Sequence, residues 1–153
     1  MTTRTNASSL LDTTPVPVPV TIAAAWTSFM FLYAYVDIIG FYKPGVLEGI
    51  QAGLIFEFEV SAMLLTAFIA VLAVPALMVV LSVTLPPRGS RITNLIVASL
   101  YIPFTAVNAV GETGEWVVFY GLTIGIELLL LAFILRSAWR WPRVSADSDG
   151  AAP

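Results

Sequence analysis

The chain has 153 residues, 58% hydrophobic and only 11% charged, with a mean hydropathy of +0.90 and a formal net charge of -3. A soluble domain is nearer half apolar and a quarter charged, so these charges are too few to wet a globule of this size, and lipid is the solvent that accepts such a surface. Cys and His are both absent. Their absence excludes disulfides and thiol relays, imidazole ligation of haem, Cys/His zinc or iron–sulfur sites, and a Ser-His-Asp triad.

Residues 1–19 are rich in Thr and Ser and end in Pro15-Val16-Pro17-Val18-Pro19. Alternating prolines favour an extended chain, so a disordered cytoplasmic tail is expected there. The first apolar run covers about residues 20–42, long enough to span a bilayer and too long for a signal-peptide core. Lys43-Pro44-Gly45 breaks it. Residues 43–57 read as an outer loop or short interfacial helix, with Gly45, Gly49 and Gly53 lending flexibility.

The second span is expected over about residues 58–85, with Pro75 inside it and Pro86-Pro87 ending it. Transmembrane helices tolerate an internal proline when neighbours satisfy the freed carbonyl, so Pro75 predicts a kink. Arg88-Gly89-Ser90-Arg91 reads as a tight turn. The third span covers about residues 92–110 with Pro103 near its middle, and the fourth residues 116–139. Residues 142–153 are small and polar and read as a second disordered tail. The fold class is therefore all-α, a four-transmembrane-helix bundle occupying residues 20–141.

Lys and Arg set the orientation. With the N-terminus inside, Arg4, Arg88, Arg91, Arg136, Arg140 and Arg143 face inward and only Lys43 outward. That asymmetry predicts a multi-pass protein of the cell (inner or plasma) membrane with both termini cytoplasmic. Trp116 and Tyr42 fall near the outer boundary; Trp26, Trp139 and Trp141 near the inner one. Asp37, Glu48, Glu57, Glu59, Glu112 and Glu115 gather at the outer end, which repels anions and concentrates cations. The plainer reading is that these are ordinary loop acids.

Residues three, four and seven apart share a helix face. Trp26, Met30, Tyr33, Asp37 and Gly40 form one stripe, and Glu59, Met63, Thr66, Ala70 and Ala73 a second. Asn94, Ala98, Tyr101, Thr105, Asn108 and Glu112 form a third, and Tyr120, Thr123, Glu127 and Leu131 a fourth. Lipid cannot hydrogen-bond these groups, so the stripes should face one another in a polar seam. Thr66, Thr105 and Asn94, taken singly, read as helix–helix glue.

Glu127 stands apart. It lies eleven residues after Trp116 and nine before Arg136, roughly 14–16 Å from each boundary at ~1.5 Å per residue. An ionised acid at that depth costs ~2.5–3.5 kcal/mol and must be protonated, paired or hydrated. Tyr101, Thr105 and Thr123 sit at compatible heights. Glu127 is read either as a proton, cation or ligand site, or as a protonated hydrogen-bond donor in packing. Asp37, nearer the outer end, reads as a second site acid or as an interfacial acid fixing the loop. The ligand- or proton-binding candidates are Glu127 and Asp37, with Tyr33, Tyr101, Thr105, Thr123, Tyr120, Glu59 and Asn108 beside them. No catalytic residue, metal ligand or cofactor is assigned.

The chain also resembles a bacterial family of small four-helix membrane proteins, domain of unknown function 6326, with a broader likeness to DoxX-like proteins. The residues that carry it are Asp37-Ile38-Ile39-Gly40-Phe41, Pro44-Gly45, Leu47-Glu48-Gly49, Pro75, Arg91 with Asn94, Ile126-Glu127, and Ala138-Trp139-Arg140-Trp141-Pro142. The likeness covers about residues 26–142. It implies the four-helix architecture and no particular activity. Relatives tend to carry an acid two residues before the second-span proline, where this chain has Ala73, so a mechanism needing two intramembrane carboxylates at those positions is weakened.

Three functions follow from these readings. The first is a non-enzymatic module in the lipid bilayer that binds or passes a small solute, cation or proton along the seam. The second is an accessory or structural subunit, in a homo-oligomer or a larger membrane complex. The third, ranked last because the chain supplies neither thiols nor haem ligands, is a DoxX-like membrane redox protein. No basic run points to nucleic acid.

Overall fold

A computed structural model describes residues 15–55, 57–107 and 114–141. The terminal tails expected over residues 1–14 and 142–153 lie outside them. The chain folds into four long helices, α1 (Val18–Gly40), α3 (Ala62–Thr84), α4 (Pro87–Val107) and α5 (Trp116–Trp139), with a six-residue helix α2 (Val46–Gln51) and a two-stranded hairpin, β1 (Leu54–Ile55) and β2 (Phe58–Glu59), between α1 and α3. The long helices have 21 to 24 residues, so each extends about 32–36 Å at ~1.5 Å per residue and covers a ~30 Å hydrocarbon core. All four are apolar enough to cross a membrane.

Helix boundaries follow proline and serine chemistry. α1 begins at Val18 and admits Pro19 in its first turn, where the missing N–H has no intrahelical partner to lose. Ser61 caps α3, its hydroxyl accepting from the Leu64 N–H at 3.1 Å. Pro86 holds Leu85 extended and ends α3. Pro87 then opens α4, and the Ser90 N–H reaches the Pro86 carbonyl at 2.9 Å. Arg88-Gly89-Ser90-Arg91 is thus the first turn of a helix. The sequence reads there as a tight turn because a double proline signals a stop, yet proline is equally at home at the first helical position. Gly45 and Gly53, at φ 87° and 79°, turn the chain into and out of α2 in the left-handed region that side-chain-bearing residues avoid. The hairpin was not anticipated; it pairs Leu54 with Glu59 and Ile55 with Phe58.

The helices run up and down around the bundle in chain order. α1 packs between α3 and α5, and α4 packs on α5; the contact between α3 and α4 is the slimmest of these. Both ends of the described chain lie at one end of the bundle with Arg88, Arg91, Arg136 and Arg140, hereafter the arginine end. The hairpin and Lys43 mark the other, the hairpin end. The outer surface is apolar: Phe31, Leu65, Leu77, Ile96, Leu122 and Leu129 are all exposed. The interior combines aliphatic and aromatic side chains, Ile22, Trp26, Phe29, Met78, Leu131 and Ile134 among them, with buried polar ones, Asn94, Thr105, Ser82 and Ser90. An apolar exterior with the polar groups turned inward suits lipid outside and hydrogen bonding inside.

Candidate functional site

At the arginine end a hydrogen-bonded clamp joins α1, α3 and α4, and a further bond ties it to α5. The Trp26 indole N–H donates to Asn94 Oδ1 at 2.7 Å, and the Ser82 hydroxyl lies 3.1 Å from the same oxygen. Asn94 Nδ2 donates to the Ser90 carbonyl at 2.8 Å, and the Ser90 hydroxyl donates to the Ser82 carbonyl at 2.9 Å. Arg91 Nε donates to the Ala138 carbonyl at 3.1 Å, tying α4 to the last turn of α5, where helix carbonyls lack intrahelical donors. Each polar side chain in this clamp has partners, so it is glue. Trp26, expected near the inner boundary, lies in the core as part of it. Ser82 and Ser90 were not singled out from the sequence, because a lone Ser in an apolar run gives no hint of its partner.

An aromatic layer closes the bundle above the clamp. Trp26, Phe29 and Tyr101 meet edge to face with ring centroids 5.8–6.1 Å apart, and Leu131 is buried in the same core. The Tyr101 hydroxyl donates to the Val71 carbonyl at 2.6 Å. Val71 is four residues before Pro75, so this carbonyl is the one that the proline leaves without its helical N–H. Tyr101, a candidate ligand, therefore satisfies the backbone of α3.

Toward the hairpin end lies the second polar group. Thr105, Thr123 and Glu127 are buried, with Glu127 3% exposed and Thr105 0%. Thr123 donates back to the Tyr120 carbonyl of its own helix at 3.0 Å. The Thr105 hydroxyl lies against the Glu127 carboxyl in a loose contact short of full hydrogen-bond geometry, and Thr105 Oγ1 and Glu127 Oε2 have no other partner among the described residues. Buried oxygens so weakly satisfied are rare, because each forfeits its solvation with little replacement. Asp37 is exposed on α1 and near enough for its charge to act on Glu127. Tyr33 contacts the Phe29 ring, which in turn meets Tyr101. Lys43 sits 5.5 Å from the Trp116 ring centroid and 5.3 Å from that of Tyr120, above this group, in cation–π geometry.

The structure thus gathers Glu127, Thr105, Thr123, Tyr33, Tyr101 and Asp37 in one half of the bundle, with Tyr120 at its hairpin end. Glu59 is placed apart, exposed in β2. Asn108 and Glu112 lie outside the described residues. The α3 stripe does not join the seam: Met63, Thr66 and Ala70 are exposed, and Thr66 bonds the Ala62 carbonyl of its own helix at 2.6 Å. Among the described residues no group of three or more acid, His or Cys side chains could hold a metal ion. No family model, curated protein or solved structure matches this chain.

Proposed function

We propose that this multi-pass membrane protein binds a proton or small cation at Glu127, in a half-bundle site entered from the hairpin end. The observation that carries the proposal is the buried Glu127 Oε2, whose one polar neighbour is the loosely placed Thr105 hydroxyl and which has no bond of full geometry among the described residues. An ionised carboxyl at mid-membrane depth costs ~2.5–3.5 kcal/mol, and a bound proton or cation removes most of that cost. A single deep carboxylate with a hydroxyl suits a proton or monovalent ion better than a divalent metal, which prefers six or more oxygens. The aromatic layer of Trp26, Phe29 and Tyr101 lies between this site and the arginine end, which favours binding over free passage of a hydrated solute. Positive charge at the arginine end supports placing both termini on the cytoplasmic side. The resemblance to domain of unknown function 6326 agrees with this architecture and assigns it no activity.

Glu127→Gln tests the proposal, since it keeps the shape and hydrogen bonding of the side chain and removes its titration. Dicyclohexylcarbodiimide, which modifies protonated carboxyls in apolar surroundings, should label Glu127 in the purified protein, and sodium or potassium salts should slow that labelling if a cation competes. Unlabelled Glu127, together with a Glu127→Gln protein that loses nothing in proteoliposome ion-flux assays, would leave Glu127 as packing.

A second reading, an accessory subunit, draws on α3. Its half nearest the hairpin, residues 62–74, contains no buried residue, and a larger membrane partner would cover it. Pull-down of a stoichiometric partner that protects this face from lipid-phase labelling would favour that reading.

A further inference from the structure

We infer that the arginine end carries a built site for one anionic phospholipid, in the groove between α4 and α5. The groove is lined by Leu95, Ser99, Leu135, Arg136, Trp139 and Arg140. Two features of it point to the same ligand class.

The first is charge. Arg136 in the last turn of α5 and Arg140 at its C-terminal cap are one turn apart and both exposed. Arg91 is drawn to the same place by its bonds to the Ala138 and Trp139 carbonyls, and Arg88 lies one turn earlier on α4. The described acids, Asp37, Glu48, Glu57, Glu59, Glu115 and Glu127, all belong to the other end or the middle of the bundle. Among the described residues, then, the arginine end holds four cations and no acid. Guanidinium groups in this setting recruit phosphate oxygens by charge-assisted, often bidentate, hydrogen bonds.

The second feature is shape. Below the two guanidinium groups the groove wall is apolar, formed by Leu95, Leu135 and the Trp139 ring, with the small Ser99 leaving room at its base. A free phosphate would use the arginines and ignore that wall. A phospholipid uses both, with its phosphate at Arg136 and Arg140 and one acyl chain along Leu95 and Leu135. Basic pockets between helices at the membrane surface are suited to such headgroups. The Arg91 bonds fix the backbone at the end of α5, from which the two arginines extend over the groove. This site is separate from Glu127, and either inference can fail without the other.

The test uses the full chain in detergent micelles, with phosphatidylglycerol, phosphatidylcholine and inorganic phosphate as probes, read by native mass spectrometry and thermal melting. Phosphatidylglycerol should add as a single discrete adduct and raise the melting temperature, while phosphatidylcholine does neither. An Arg136→Gln/Arg140→Gln double variant should lose the preference for phosphatidylglycerol roughly 30-fold, at about tenfold per 1.4 kcal/mol and the usual contribution of a basic residue near an anionic surface. Ser99→Phe fills the groove and leaves both arginines in place, and should also abolish the adduct. Equal binding of phosphatidylcholine, or an unchanged double variant, overturns the inference. An adduct that survives Ser99→Phe reduces the site to diffuse attraction between arginines and anionic lipid, and equal stabilisation by inorganic phosphate makes it a free-anion site; each outcome also overturns it.

Discussion

Replacing Tyr101 with Phe removes one oxygen atom and tests how the bundle tolerates a proline in α3. The Val71 carbonyl loses its helical donor to Pro75 and gains the Tyr101 hydroxyl at 2.6 Å. In water a buried carbonyl without a donor costs ~1–3 kcal/mol. Hydrogen bonds between helices in membranes contribute less, ~0.6 kcal/mol on average and about 1.7 at most, because the separated helices find other partners. That discount is small here. In an isolated α3 the proline still blocks the helical bond, and lipid offers no donor in its place. The expected loss for Tyr101→Phe is therefore near the top of that range, about 1–1.7 kcal/mol. Pro75→Ala restores an N–H for Val71 and makes the hydroxyl redundant. On that background Tyr101→Phe should cost almost nothing, so the two substitutions should couple by about the full value of the bond. Equilibrium unfolding in mixed detergent micelles, followed by the fluorescence of the fully buried Trp26, measures all four corners of the cycle. A coupling below about 0.3 kcal/mol, within ordinary additivity error, would refute the assignment of Tyr101 to the proline-freed carbonyl.

Asn94→Ala removes the acceptor shared by Trp26 and Ser82, two contacts between helices, and should destabilise the bundle by roughly 1–3 kcal/mol. Trp26→Phe deletes the shorter of those contacts, the Ser82 proton lying closer to the Met78 carbonyl at 2.6 Å than to Asn94. It should cost at least half as much in an unfolding assay followed by circular dichroism, since this variant lacks the Trp26 probe. Reporter fusions at the N- and C-termini should both report the cytoplasmic side. Both ends reporting outside would overturn the orientation and leave the bundle intact, whereas a split result would require an odd number of crossings and refute the four-span fold.

Composition was enough to reveal four helices in lipid, because too few charges for water is a property of the whole chain and survives local ambiguity. The turn between α3 and α4 was harder. Pro86-Pro87 carries a stop and a start in adjacent residues, and sequence alone does not say how soon the next helix begins. The α3 stripe misled for a different reason. The hairpin-side half of that helix has Thr66 as its one polar side chain, and the exposed Thr66 is satisfied by the Ala62 carbonyl of its own turn, so nothing obliges that half to face the seam. Ser82 and Ser90 became meaningful only when the short α3–α4 connection brought them together around Asn94. Glu127 was legible because no local device can satisfy a carboxyl at that depth.

The same distinction separates glue from a candidate site within the folded bundle. Asn94 is as deeply buried as Thr105, both at 0% exposure, and burial alone cannot tell them apart. What differs is the state of their partners. Asn94 uses its amide nitrogen and oxygen on Trp26, Ser82 and Ser90, so any ligand arriving there would have to break existing bonds for no gain. Thr105 and Glu127 each present an oxygen with no bond of full geometry among the described residues, so a proton, a cation or a ligand's donor arriving there gains a bond and disturbs only the loose contact between the two. A folded protein retains such an unsatisfied pair only at a cost in stability. The clamp and the proline-capping Tyr101 are what the rest of the bundle sets against that cost, and they stand on the other side of the aromatic layer or within it. Stabilising substitutions should therefore be found easily around Glu127, Glu127→Leu being the simplest, and hardly at all around Asn94.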